Sequence, residues 1–344
     1  MRWMALSFLI VLLAGCEHLP VGDFGTMQDP NQAGMVTAQF RHGQTFLTWN
    51  EVAKPGIKYN IYRSRLPIET PEDLSKDNLL ATVNDQTSLN LMASINRTRF
   101  NSLPPGQPYS LENRIYYVIE DGMAPLADTT GLFVYTVQKF GQAFYAVTAV
   151  ENGVENRNLY ALSDGNVTRK AVHERIQAVR PVKQNATDYV HWTDDTGTRH
   201  YPAMSSVPGL AYNFRVHAPA VQGQYPVIGV LHAENLQFNT EDRARYAKVD
   251  GPEGDSAIRV ALDSPVIQAK DANGQPRQIQ GLGPVAEWPF EGWYGYNNHF
   301  FTGKPLEQGK DEDYTVRRVI WTLEWAAKEF GGDENRIALR GESM

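Results

Sequence analysis

The first part of the chain, from about residue 34 to residue 154, is made of short runs of alternating apolar and polar residues. Turn residues separate the runs, and Asn152-Gly153 closes the longest of them. Strands of this length and spacing predict an antiparallel β-sandwich. We expect strands at 36–40, 45–49, 59–63, 115–119, 132–136 and 143–150. The polar, proline-containing stretch 66–114 reads as an insertion with few regular strands.

After a polar linker at 155–187, the periodicity changes. Alternating or continuous apolar runs predict strands at 188–192, 211–217, 226–231 and 257–262, with a short helix-compatible piece at 240–249. Apolar residues at three-and-four spacing predict a long helix from about 312 to 330, which Gly331-Gly332 ends. A last strand follows at 336–340. Helix and strand alternating after several strands indicate an α/β domain over 188–344.

The N-terminus has the features of an export signal. Arg2 is followed by a short apolar run and then by Leu13-Ala14-Gly15-Cys16, which resembles the lipobox of bacterial lipoproteins. The resemblance implies that residues 1–15 are removed and that Cys16 carries the lipid, with a polar tether over 16–33. By resemblance to enterobacterial lipoprotein sorting, the presence of Glu17 rather than Asp after the cysteine implies the outer membrane. An ordinary signal peptide with an incidental cysteine is the alternative.

The charge and the short motifs of the sequence argue against several functional classes. The net charge is −7, and no run of lysine or arginine suggests nucleic-acid binding. No metal-ligand spacing and no glycine-rich phosphate loop occurs in the sequence, so we expect neither a metal nor a cofactor.

The last four residues, Gly341-Glu342-Ser343-Met344, are the beginning of the G-x-S-x-G pattern. In that pattern, a sharp turn between a strand and a helix exposes the serine hydroxyl, and small flanking residues allow the close approach. The bare pattern is common by chance. Its position after a predicted strand and a long amphipathic helix makes Ser343 a candidate nucleophile.

Two segments resemble known families. Residues 333–344 look like the same stretch in α/β-hydrolase esterases and prolyl-oligopeptidase-like peptidases, and the runs 47–49, 59–63 and 144–150 look like strands B, C and F of a fibronectin type III module. The implied fold is an all-β fibronectin type III-like sandwich over 34–154, followed by an incomplete α/β-hydrolase domain over 188–344. By resemblance, the backbone N–H groups of Met344 and Ala233 would form the oxyanion hole.

The resemblance implies an exported serine hydrolase that acts on a small or polymeric ester through an acyl-enzyme, with a peptide substrate as second choice. In this fold the acid and the histidine follow the serine, whereas all 8 histidines here precede Ser343. We therefore expect a truncated reading frame whose product is inactive. The alternative is a non-enzymatic surface binding or scaffold lipoprotein with a degenerate hydrolase half.

Three further features have simpler interpretations. His232 fits a loop-orienting role with a hydrogen bond to the backbone, and Asp263 and Glu291 fit solvated surface positions. The aromatic segment 288–296 could wall a substrate pocket, although such segments more often pack onto a domain surface.

Overall fold

The structure is a computed structural model, and it describes most of the chain from residue 29 to residue 341. The described residues are 29–95, 104, 107, 108, 111, 113–160, 164–197, 203–221, 223–232, 238, 257–264, 278, 279, 283, 284, 293–302 and 304–341.

Two sheets in the first part form a β-sandwich. The first sheet has the order β1-β2-β5, and the second has the order β4-β3-β6-β7, with β8 pairing to β6. The strands are β1 (Gly34–Arg41), β2 (Gln44–Asn50), β3 (Lys58–Ser64), β4 (Leu79–Asn84), β5 (Thr130–Thr136), β6 (Gly141–Glu151), β7 (Val154–Glu155) and β8 (Val172–Glu174). Except in β8, which falls in the expected linker, these strands lie where a sandwich was expected. Their arrangement does not exclude the fibronectin type III-like interpretation.

The sandwich core lies between the two sheets. Leu47 and Trp49 of β2 face Tyr59, Ile61 and Tyr145 of the second sheet, and all five are buried. Alternation along β2 turns its other side chains toward the opposite face of the sheet, where Phe46 is also buried. Strand β2 is therefore buried on both faces, whereas in an isolated sandwich one face of each sheet is exposed to solvent.

The stretch 66–114 contains little regular structure, as expected for an insertion. Apart from β4, its described residues form two short 3-10 helices, Pro71–Asp73 and Lys76–Asn78, and the four-residue helix α1 (Leu91–Ser94). The strand expected at 115–119 is wrong. Only Tyr116 makes an isolated bridge, to Leu89, and the N–H of Val118 donates to the side chain of Gln184 instead of a neighbouring strand.

A six-stranded mixed sheet follows, with the order β18-β12-β13-β11-β10-β9. Neighbours from β9 to β13 are antiparallel, whereas β13, β12 and β18 are parallel. The elements are β9 (Val182–Lys183), β10 (Asp188–Trp192), β11 (Ala211–His217), β12 (Val227–Leu231), β13 (Ile258–Leu262), α2 (Tyr314–Phe330) and β18 (Ile337–Gly341). Two further sheets each have two short antiparallel strands: β14 (Gln278–Ile279) with β15 (Gly283–Pro284), and β16 (Tyr296–Asn297) with β17 (Asp311–Glu312). A 3-10 helix, Leu306–Gln308, lies between β16 and β17 in the chain.

The described part of the chain has four layers: the helix α2, the six-stranded sheet and the two sheets of the sandwich. On one face of the six-stranded sheet, Val319 and Leu323 of α2 pack on Val227 and Ile258. On the other face, Val190 and Trp192 join a core with sandwich residues that include Phe46, Tyr117 and Val134. The sheet is thus held between the helix and the sandwich.

The expected α/β-hydrolase domain is contradicted. The described residues form eighteen strands and only two α-helices, so this part of the chain is mostly β-sheet. An α/β fold covers both faces of its sheet with helices, but here the sandwich covers the face that a second helical layer would need. The short helix expected at 240–249 lies outside the described residues.

Candidate functional site

The three parallel strands end together at one edge of the six-stranded sheet. Leu231, the last residue of β12, is the register partner of Leu262 in β13 and of Gly341 in β18. Side chains that follow parallel strands gather at their common carboxyl edge, which is where such sheets most often bind ligands. We refer to the surroundings of Leu231, Leu262 and Gly341 as the carboxyl edge.

A buried histidine and a buried aspartate stand at the carboxyl edge. His232 is 3% exposed and Asp263 is 1% exposed. The His232 Nε2 atom accepts a hydrogen bond of 3.0 Å from the backbone N–H of Ser264, and it lies 3.6 Å from the Asp263 Oδ1 atom. Because a backbone N–H can only donate, Nε2 carries a lone pair and the neutral ring has its proton at Nδ1. His232 therefore ties the end of β12 to the end of β13, in agreement with the loop-orienting role.

The backbone of Asp263 is fixed from two other directions. Its N–H donates to the carbonyl of Asn213 on β11, and its carbonyl accepts 2.8 Å from the Nη1 atom of Arg318 on α2. The Arg318 guanidinium lies over the Tyr212 ring, 3.7 Å from its centroid. The surface position expected for Asp263 is wrong, since the helix and two strands enclose it.

The negative charge of Asp263 acts on Tyr117, in the first part of the chain. Burial raises the pKa of the Tyr117 phenol, and the charge of Asp263 raises it further. Tyr117 belongs to the core shared by the sandwich and the sheet. A charge at the carboxyl edge therefore affects the pKa of a residue in the core that the sandwich and the sheet share.

An aromatic residue covers the end of β12. The Trp293 Nε1–H donates 3.1 Å to the carbonyl of His232, and the two rings meet edge to face with centroids 5.0 Å apart. Of the aromatic segment 288–296, the structure describes residues 293–296, and Glu291 lies outside the described part.

The residues singled out from the sequence for catalysis and anchoring lie outside the described part of the chain. These are Ser343, Met344, Ala233 and Cys16. The structure brings His232 and Asp263 together, and it adds Arg318, which the sequence analysis missed. Thr315, Arg318 and Thr322 are polar residues at three-and-four spacing on the buried stripe of α2, and that pattern is the signal that would have identified them.

The described residues contain neither a metal-ligand group nor a membrane-spanning helix. No group of three or more His, Cys, Asp or Glu side chains in the described ranges is placed to hold a metal ion. No helix within these ranges has the length and apolar character needed to cross a membrane.

Comparison with known proteins adds no relative. No protein-family model matches the chain, and no curated protein is significantly similar to it.

Proposed function

We propose that the protein is an exported, lipid-anchored serine hydrolase that cleaves esters through an acyl-enzyme on Ser343. The observation that carries the proposal is the position of Gly341. It ends β18 beside Leu231, the residue before His232, so the G-x-S sequence starts at the carboxyl edge. Ser343 is two residues farther along, within roughly 7 Å of Gly341 by the length of the chain.

The proposed oxyanion hole uses the same edge. Adjacent parallel strands lie about 4.8 Å apart, which brings the end of β12 next to the end of β18. The first proposed donor is the N–H of Met344, and the second is the N–H of Ala233, in the peptide whose carbonyl belongs to His232.

In the proposed step the Ser343 hydroxyl oxygen bonds to the acyl carbon as the ester C–O bond breaks, the serine proton goes to the departing alcohol, and water then releases the acid from the enzyme. His232 takes no part in this proton transfer. A general base needs a lone pair free to accept the proton of the nucleophile. The Nε2 lone pair of His232 is used by the Ser264 N–H, and the ring is buried. We assign His232 and Asp263 to positioning the strand ends.

The anchor is a separate part of the proposal. Its support is the sequence Leu13-Ala14-Gly15-Cys16 after a short apolar run, since stable attachment by acyl chains needs no spanning helix. Radiolabelled palmitate incorporated by the wild-type protein and lost in Cys16→Ala would support it, and equal incorporation by both would refute it.

The nucleophile is tested by labelling the product of the complete gene with a fluorophosphonate probe. We expect labelling of the wild-type protein, loss of labelling in Ser343→Ala, and unchanged labelling in Ser75→Ala. Ser75 is a suitable control because it precedes a 3-10 helix in the sandwich without making a side-chain capping bond. Labelling that persists in Ser343→Ala would eliminate Ser343, and an unlabelled wild-type protein would contradict the hydrolase.

A further inference from the structure

Trp293 has an unusual backbone at the carboxyl edge. Its φ angle is +53°, in the left-handed region that bulky L residues rarely adopt. Such a conformation persists only where the surroundings impose it, and it is concentrated at ligand-binding and active sites. Here it allows the indole to reach the carbonyl of His232 while the ring stays partly exposed.

The residues after Trp293 are tightly held. A Cβ atom on Gly295 would lie only 1.7 Å from the carbonyl oxygen of Glu312, so the two backbones touch. Tyr296 is buried, pairs with Glu312 in the β16–β17 ladder, and has its ring 4.8 Å from that of Tyr314 at the start of α2. The segment is therefore fastened to β12 at one end and to α2 at the other.

Tyr294 lies between these two attachments and is 59% exposed. A single exposed aromatic residue is ordinary on a protein surface. Its neighbour in the chain is the strained, partly exposed Trp293, and the backbone that carries both rings is held at its two ends. Preorganised surfaces of this kind favour flat apolar groups because little conformational entropy is lost.

We infer that Trp293 and Tyr294 form an aromatic wall that binds an aromatic ring of the ester substrate. The inference rests on the proposed function and names the substrate class of the same site. The wall stands at the end of β12, and Gly341 is the register partner of Leu231 in that strand. A ring held there would place its ester group near the proposed nucleophile.

The selectivity test compares three esters on the complete gene product. Methyl 3-phenylpropanoate has the ring in its acyl half, phenyl acetate has it in its alcohol half, and ethyl acetate has none. We expect Tyr294→Ala and Trp293→Asn to lower, about tenfold, the ratio of kcat/KM for one of the two ring-bearing esters to kcat/KM for ethyl acetate. Asparagine is chosen because it tolerates a positive φ.

Phe140→Ala is the matched control, because Phe140 is a 71% exposed aromatic residue of the sandwich. The ester that responds to the wall variants identifies which half of the substrate carries the ring. If both ring-bearing esters keep their kcat/KM ratio to ethyl acetate in Tyr294→Ala and Trp293→Asn, the inference is overturned.

A binding measurement separates this inference from the proposed function. Calorimetry with 3-phenylpropanoate on the Ser343→Ala protein should show binding that Tyr294→Ala weakens about tenfold. Such binding, together with a wild-type protein that the fluorophosphonate probe does not label, would support the wall and refute the hydrolase. Labelling of Ser343 without any effect of the wall variants on binding or selectivity would refute the wall alone.

Discussion

At the scale of single residues, His191 is the most unusual ionisable group in the described structure. It lies on β10, is 3% exposed, and stacks on Trp321 with ring centroids 3.8 Å apart. Its Nδ1 atom has no hydrogen-bond partner in the described part of the chain. Burial, together with the positive charges of Arg318 and Arg317, lowers the pKa of His191 to about 3.

This pKa predicts acid sensitivity. The unfolded chain binds a proton at His191 below about pH 6.5, whereas the folded protein stays neutral there until about pH 3. Stability contributed by the neutral ring is therefore complete above pH 6.5 and is lost as the pH falls. Between pH 7 and pH 5, the free energy of unfolding should drop by about 2 kcal/mol from this group.

Urea denaturation at both pH values measures the effect. His191→Phe should remove that part of the pH dependence, since phenylalanine cannot take up a proton and still stacks on Trp321. The control is His173→Gln, because His173 is exposed on β8 and its replacement should leave the pH dependence unchanged. An unchanged slope in His191→Phe would show that the drop comes from other groups.

At the scale of elements, β8 shows how a residue of the expected linker becomes part of the sandwich. The Glu174 carboxylate is fully buried and accepts hydrogen bonds from Thr45 at 2.7 Å, from Tyr145 and from Arg63. Side chains from three other strands, β2, β3 and β6, therefore bond to this one carboxylate. This arrangement fixes β8 against β6 although β8 has only three residues.

Glu174→Gln should destabilise the protein by about 3 kcal/mol, because the amide keeps the size of the side chain but leaves the partly buried Arg63 guanidinium without a counter-charge. Thermal unfolding measures the change. Glu72→Gln, at an exposed position in a 3-10 helix, should shift the transition by less than about 0.5 kcal/mol. Equal shifts in the two variants would mean that the ion pair contributes nothing beyond a surface charge.

The elements also show what the sequence could predict. Strands β10 and β11 have the predicted bounds, since alternation is strong where each face meets a different core. Residues 115–119 have the composition of a strand, but their backbone bonds to the side chains of Ser94, Gln184 and Arg41 and to two loops, which periodicity does not reveal. The strands β8 and β9 were missed because two- and three-residue strands carry no period of their own.

The fold class was wrong for a related reason. One amphipathic helix and one continuous apolar strand indicate a sheet buried on both faces, but they do not say what covers the second face. Val190 and Trp192 are buried by the sandwich, not by helices. The sequence predicted the position of His232 and its bond to the backbone, whereas Asp263 was expected in solvent because its neighbours come from distant elements.

At the scale of the whole molecule, the sandwich and the six-stranded sheet behave as one structural unit. Besides the shared core, the side chains of Asn90 and Asn213 exchange two buried hydrogen bonds, of 2.7 and 3.0 Å. Asn213 also accepts, through its backbone, the N–H of Asp263. The first part of the chain thus supports the carboxyl edge directly.

We expect calorimetry to show one cooperative unfolding transition, and Asn90→Leu to lower its midpoint by the equivalent of about 1–3 kcal/mol, since the amide of Asn213 is left buried without its partner. The double variant Asn90→Leu/Asn213→Leu should recover part of that loss, because both polar groups are then removed. Two separate transitions, with Asn90→Leu affecting only one, would contradict a single unit.

The start of the sandwich determines how far an anchored molecule could move from its membrane. Gln32 is 2% exposed, and its side-chain amide bonds to the carbonyls of Asn156 and Asn158 and to the N–H of Ala149, so the end of the expected tether at 16–33 is already part of the folded body. Asp29 accepts a further bond from Asn156. With the lipid on Cys16, as proposed, about 13 residues separate the lipid from Asp29, a length of chain that spans at most roughly 45 Å. Such a protein would sample substrates only in the thin layer next to the bilayer.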